Sequence, residues 1–384
     1  MRIGIDLRCL AEGRRTGVEE YTISLLQNIF KQDRNNEYIL FFNSYKRKGF
    51  NLPWISQYPN VKLRKFKFPN KLLNFLFWYF KWPKIDKFLG QVDILFMPNI
   101  NFFSVSHYTK LIITIHDLSF ERLPENFSLK RRLWHFLVNP KAICDRADKI
   151  VTISHSSKSD IQTFYDINSS KIELILPGIS SRFRLIDRND YKFIEVQKKY
   201  NLPYNFILFL GTNEPRKNID SVIEAYENLM LETKETELEK YCLVIAGQTG
   251  WLNKNIDQLI ENSEYKHKIF RLNYIDEEDK PYFINLASLF VYPSHFEGFG
   301  LPPLEAMACG VPVIVSNNSS LPEVIGDAGI LINPDKPNEI YQAMLQILSS
   351  KQLIIKLRQK GLKRAKNFNW QTTAGNFLKI VNAL

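Results

Sequence analysis

The chain has 384 residues, and its 45% hydrophobic and 24% charged content is that of a folded protein able to bury large cores without staples. Four scattered cysteines (Cys9, Cys144, Cys242 and Cys309) form no C-x-x-C pair, which argues against zinc and redox motifs and fits a reducing, cytoplasmic compartment. The net charge of +11 lies entirely in one half: residues 1–180 carry 27 Lys and Arg against 16 Asp and Glu, whereas residues 181–384 carry 24 of each.

The opening "MRIGIDLRCL" turns polar too soon for a signal peptide. Crossing a bilayer takes roughly 20 apolar residues, and the longest candidate, "LLNFLFWYF", is about half that. At roughly 150 residues per domain, two domains are the simplest division.

Two α/β patterns follow one another. "RIGIDL" predicts a first strand, then a glycine-bearing loop "RCLAEGRRTG", then a helix with Val18, Tyr21, Leu25 and Ile29 on one face. Continuous apolar runs at 37–42, 93–98, 110–117 and 149–154 predict buried parallel strands, and "KIELILPGIS" a last strand entering a Pro-Gly turn. Residues 181–202 are polar and charged and read as the crossing to a second domain. The pattern then restarts, with strands expected at 205–211, 241–248, 268–274, 289–294, 311–317 and 328–334, and a helix at 218–230. The expected domains are 1–180, 181–365 and a terminal helix in 366–384. The fold class is α/β, two doubly wound Rossmann-like sheets.

The densest basic stretch, Asn60–Gly90, alternates lysines with aromatics. It suits a solvated basic face over an amphipathic helix, an anionic membrane surface or a nucleic-acid backbone, but no nucleic-acid recognition motif accompanies it. "LKRRLWHF" at 129–136 has a similar character.

The most informative stretch is "HFEGFGLPPLEAMACG", from His295 to Gly310. Pro302 and Pro303 suit the first turn of a helix and Gly310 its end, so Glu297 falls in the loop after a strand and Glu305 in the early helix. Gly298 and Gly300 let backbone N–H groups approach a ligand, and the helix N-terminus attracts anions. Carboxylates repel phosphate but accept from vicinal hydroxyls. A sugar nucleotide, with hydroxyls at both ends and phosphates between, would use every one of these groups.

This segment, with "RRTGVEEYTISLL", "IITIHDLSF", "IVTISHSSKSDI", "FLGTNEPRKNI" and "NYIDEEDKPYFINLASLFVYPS", closely resembles the retaining GT-B glycosyltransferases of family four. The resemblance implies two Rossmann-like domains facing across a cleft, with the C-terminal helix containing Trp370 returning to the first. It implies that Glu305 binds the ribose hydroxyls and Glu297 the hydroxyls of the transferred sugar. The backbone of Phe299, Gly300 and Leu301 would hold sugar or diphosphate. Arg216 and Lys217, after Gly211 and Thr212, would neutralise the departing diphosphate. Some family members carry an arginine where Thr212 stands, so part of that charge is missing here. His116 would bond a sugar hydroxyl or place the acceptor, Asp117 serves equally well as a cap, and Gly17 would let the first-domain loop approach the diphosphate.

By the same resemblance the reaction moves a hexose, with mannose from GDP-mannose as first candidate, to a saccharide or lipid-linked acceptor in surface polysaccharide synthesis. Anomeric configuration is retained and no cofactor is used. No Asp-x-Asp and no zinc-type histidine spacing occurs, so no metal is expected. Peripheral contact with an anionic inner leaflet is expected from the basic aromatic segments, and nucleic acid is not an expected partner. A sugar-nucleotide epimerase and a non-catalytic sugar-nucleotide-binding partner of an assembly complex are the alternatives.

Overall fold

The computed structural model describes residues 1–11, 17–45, 52–248 and 256–384. It divides into two compact units, Met1–Gly178 with Asn369–Leu384, and Ile179–Phe368. The expected glycine-bearing loop after the first strand lies largely outside the described residues.

Among the described residues, the first unit holds a parallel sheet of seven strands: β1 (Arg2–Asp6), β2 (Glu37–Asn43), β3 (Val61–Phe66), β4 (Ile94–Met97), β5 (Lys110–Ile115), β6 (Lys149–Thr152) and β7 (Ile172–Leu174). Their spatial order is β3-β2-β1-β4-β5-β6-β7. The central strands are near-continuous Ile, Leu, Val and Phe because helices cover both faces. The helix Gly17–Gln32 buries Tyr21, Leu25 and Ile29 as the periodicity predicts. The C-terminal helix Trp370–Asn382 belongs to this unit. Phe377 packs against Phe96 with ring centroids 4.5 Å apart, and Gln371 O accepts from Gln32 Nε2 at 2.9 Å.

β3 was not legible in the sequence. It is an edge strand whose Lys62, Arg64 and Lys65 are exposed, and charges of this kind keep an edge from pairing with another chain. The basic aromatic segment therefore splits into a strand, the helix Asn70–Phe75 continuing into a wider turn at Leu76–Phe80, and the short helix Ile85–Phe88.

The second unit holds β8 (Phe206–Leu210), β9 (Cys242–Ala246), β10 (Ile269–Leu272), β11 (Leu289–Tyr292), β12 (Val313–Ser316) and β13 (Ile330–Ile332), all parallel, in the order β10-β9-β8-β11-β12-β13. Residues 181–202, read as the crossing to the second domain, lie within this unit. Phe183, Phe193 and Val196 are buried, and the Phe193 ring meets Tyr282 at 5.3 Å. Their polarity hid the helix Lys192–Lys199, which buries only a narrow stripe.

The turn after β9 braces the turn after β8. Gly211 N donates to Ala246 O at 3.0 Å, and a Cβ on Gly247, whose φ is +144°, would lie 1.9 Å from Gly211 O. Gly247→Ala is expected to destabilise the fold by about 3 kcal/mol through this clash and its backbone strain. An unchanged urea midpoint would show that the two turns are not in contact.

Candidate active site

In the second unit β8 is flanked by β9 on one side and β11 on the other, so the connections leaving β8 and β11 run to opposite faces of the sheet. The carboxyl ends of two such strands form the crevice where doubly wound sheets bind ligands. The sequence puts its cations on the loop after β8 and its acids on the loop after β11. The fold brings them together. His295 N donates to Arg216 O at 2.8 Å, and Arg216 Nη1 donates to Phe296 O, also at 2.8 Å.

The side chains then converge. Lys217 Nζ lies 2.5 Å from Glu297 Oε1, and Arg216 Nη1 lies 3.2 Å from the same oxygen. Lys217 also donates to the Tyr292 hydroxyl, and its ammonium stands 4.8 Å from that ring's centroid. Arg216 Nε donates to Glu214 Oε2 at 2.8 Å. Lys217, Glu214 and Glu297 are all less than a tenth exposed.

Burial alone would raise the Glu297 carboxyl, but the Lys217 and Arg216 charges outweigh it and hold the group at about 2. Lys217 moves down as well, because burial and the adjacent Arg216 charge outweigh the attraction of Glu297 and Glu214. The direction for Glu297 follows from geometry, with two cations on one oxygen. Glu297 and Glu214 supply negative charge beside these two cations.

The helix Leu301–Ala308 begins as its two prolines predict. Gly300, at φ +105°, sits at its N-cap, and a Cβ there would lie 2.7 Å from Leu321 Cδ2. The first N–H groups of such a helix, Leu301 among them, have no intrahelical acceptor. Ser320 Oγ donates to Glu297 O and Phe299 O at 2.9 and 2.8 Å, and Ser319 Oγ accepts from Glu297 N at 3.0 Å. The loop after β12 thus fixes the turn carrying Glu297, Phe299 and Gly300, while the buried Phe299 ring packs on Phe368. Glu305 is 5% exposed, and Lys280 Nζ lies 2.8 Å from its Oε2. Gly211 is partly buried and Thr212 is exposed, so Thr212 offers only its hydroxyl.

Lys280, Tyr292, Ser319 and Ser320 were missed as functional residues. Lys280 and Tyr292 lie inside a quoted motif and Ser319 and Ser320 beyond the last one, but the partners of all four are 21 to 75 residues away and no local spacing marks them.

His116 and Gly17 belong to the first unit. His116 directly follows β5, and its Nε2–H donates to Pro98 O at 2.8 Å. Burial pulls its pKa below the ordinary value, leaving Nδ1 of the neutral ring as an acceptor. Asp117 accepts from Ser119 N at 2.9 Å and from Ser119 Oγ at 2.6 Å, as a cap does. Gly17 is exposed and begins its helix, and a Cβ there would meet nothing within 4 Å among the described residues.

Two family descriptions match in series: Glycosyltransferase Family 4 over residues 15–183 and Glycosyl transferases group 1 over residues 190–368. The chain is 36% identical over 272 residues to O-antigen chain mannosyltransferase B of Escherichia coli, covering 71% of this chain and 70% of that one. The chain belongs to the family-four GT-B glycosyltransferases. This glycosyltransferase is also 32% identical to the serotype-specific mannosyltransferase WbdA of Escherichia coli, over 69% of its own length and 32% of that longer protein. Its fold matches sucrose-phosphate synthase from Thermosynechococcus elongatus with a TM-score of 0.77 at 18% identity, over 100% of this chain and 98% of that one.

The depressed Glu297 carboxyl has a consequence for acid stability. A group whose folded pKa is lowered contributes stability above its unfolded value, and that contribution is lost as the pH falls through the folded value. The stability advantage of the wild type over Glu297→Gln is expected to be full at neutral pH and to shrink between 4.5 and about 2. Urea denaturation of both proteins across that range measures it. Parallel acid profiles would contradict the pairing.

Proposed function

We propose that this glycosyltransferase is a retaining, metal-independent hexosyltransferase that moves mannose from GDP-mannose to a hydroxyl of a saccharide or lipid-linked saccharide in surface polysaccharide synthesis. The observation that carries the reading is the convergence of Arg216 and Lys217 on Glu297 at the edge of the second sheet. The choice of mannose is supported by the names of the O-antigen and serotype-specific relatives.

In this reading Glu297 balances the two cations and accepts hydroxyls of the transferred sugar when the donor is bound. An ammonium has three donors, and with Glu297 and Tyr292 each taking one, the third is left for a phosphate oxygen. Arg216 and Lys217 then stabilise the negative charge that develops on the leaving diphosphate, the role metal ions play in other transferases. A carboxylate held at about 2 by two cations is a weak nucleophile, so a covalent intermediate on Glu297 is disfavoured. Same-face attack, with the departing phosphate taking the acceptor proton, fits this set of residues.

The acceptor reading draws support from the first unit. Phe75, Trp78, Tyr79, Phe80 and Trp82 are exposed, Tyr79 by 65%, and Phe75 stacks on Tyr79 at 5.8 Å. Lys67, Lys71 and Lys81 are exposed around them. On the helix Leu129–Val138, Leu129, Leu133 and Phe136 form an exposed stripe beside Lys130, Arg131 and Arg132. Apolar rings at the acyl boundary with lysines at anionic headgroups are the pattern of an interfacial surface. Among the described residues no helix is long and apolar enough to cross a membrane.

GDP-mannose is expected to give the largest thermal shift in a panel of nucleoside diphosphate sugars and to release GDP slowly in EDTA. Conversion of the donor to another sugar without an acceptor would instead indicate an epimerase, and binding without any turnover a non-catalytic partner. Lys217→Met is expected to lower turnover about 100-fold. Because Lys217 is buried against Glu297, that variant also loses stability, so turnover is measured on the folded fraction. Undiminished turnover would remove Lys217 from catalysis. The wild type is expected to sediment with phosphatidylglycerol vesicles and not with neutral ones. Equal absence of binding to both would reject the membrane contact.

A further inference from the structure

Acidic residues end at Glu339, and the rest of the chain contains eight Lys and Arg and no Asp or Glu. Seven of those eight lie on the helix Lys351–Ala365 or at its C-cap, Lys366. One side of this helix is held by the second unit. Leu357, Gly361 and Ala365 are buried, and a Cβ on Gly361 would lie 3.3 Å from Met307 Cβ on the helix Leu301–Ala308. Arg364 closes the end of the helix Leu321–Ile325, with Nε donating to Val324 O at 3.0 Å and Nη2 to Glu323 O. These contacts fix the helix and leave its other side to solvent.

That side carries Lys356, Lys360, Lys363 and Lys366. They are spaced four, three and three residues apart, so they follow one another along a single stripe about 15 Å long. Lys360 pairs with Asp327 at 2.6 Å. Lys356, Lys363 and Lys366 are exposed and form no ion pair among the described residues. Like charges at this spacing repel and destabilise a helix. The helix dipole favours cations in the last turn, which accounts for Lys363 but not for Lys356.

An extended layer of negative charge offsets this repulsion along the whole row at once. An acidic protein fits less well, because stable protein interfaces centre on apolar and aromatic side chains and are poor in lysine. Ile355, 56% exposed, is the one large apolar side chain that this helix exposes among the described residues. A single-stranded nucleic acid calls for rings on which bases stack, and the helix has no aromatic residue.

We propose that the lysine row of the helix Lys351–Ala365 is a docking surface of the second unit for the anionic headgroups of a phospholipid bilayer. It holds by charge, with Ile355 as its one apolar contact, and so differs in kind from the ring-bearing surface of the first unit. It stands on its own residues and does not depend on the first-unit contact proposed above.

The test is sedimentation of the full chain with vesicles of phosphatidylcholine alone or mixed with phosphatidylglycerol. The variant carrying Lys356→Gln, Lys363→Gln and Lys366→Gln removes exposed, mutually repelling charges, so its urea midpoint is expected to equal or exceed that of wild type. Each lysine at an anionic surface contributes about fivefold, so the affinity for phosphatidylglycerol vesicles is expected to fall on the order of 100-fold in about 0.1 M salt. In about 0.5 M salt the variant and wild type are expected to bind nearly alike. A second variant, Trp78→Ser with Tyr79→Ser, probes the first unit separately. A loss in the lysine variant alone supports the row and rejects the first-unit contact. A loss in the ring variant alone overturns the row and leaves the first-unit contact standing. Wild type that binds neither vesicle overturns both. A polyglutamate peptide that binds through the row more tightly than the vesicles overturns the lipid assignment in favour of an acidic protein.

Discussion

A carboxylate with two cations on one of its oxygens, almost wholly removed from water, is the interaction on which the second unit's site depends. Glu297, Lys217 and Arg216 are each costly to bury alone and tolerable only together. That mutual need fixes the loops after β8 and β11 against one another, and backbone bonds from His295 to Arg216 and from Arg216 to Phe296 complete the join. Groups 80 residues apart in sequence thereby become one preorganised electrostatic unit at the carboxyl edge of the sheet. Preorganised charge is effective in catalysis because it needs no rearrangement as the reaction proceeds.

Much of this architecture could be read from the chain. The buried parallel strands are continuous apolar runs, and every strand expected in the second unit falls where β8 to β13 lie. Glu297 and Glu305 were readable because prolines and glycines punctuate the helix between them. β3 was not readable, since an edge strand carries exposed lysines that obscure its alternation. The helix Lys192–Lys199 was hidden for a related reason: a helix that buries a narrow stripe looks polar overall. Lys280 and Tyr292 were invisible as site residues because what matters about them is a contact, and contacts across 25 or 75 residues leave no local spacing.

The two units differ in chemical character. The excess positive charge lies in the half that forms the first unit, where exposed aromatics and lysines share the segment after β3 and the helix Leu129–Val138. The second unit is balanced, and many of its charges are spent on one another: Arg182 with Glu277, Lys199 with Asp276 and Asp279, Lys280 with Glu305. A surface that attracts anions broadly and a site that grips one anion by geometry call for these different arrangements.

The central claim is that the Glu297 cluster recognises the diphosphate of a sugar nucleotide. Its most direct measurement compares the affinities of guanosine and of guanosine diphosphate for wild type and for Lys217→Met. The account predicts that wild type binds the diphosphate far more tightly than the nucleoside and that the variant loses most of this difference while binding guanosine as before. A variant that keeps the full difference would contradict it.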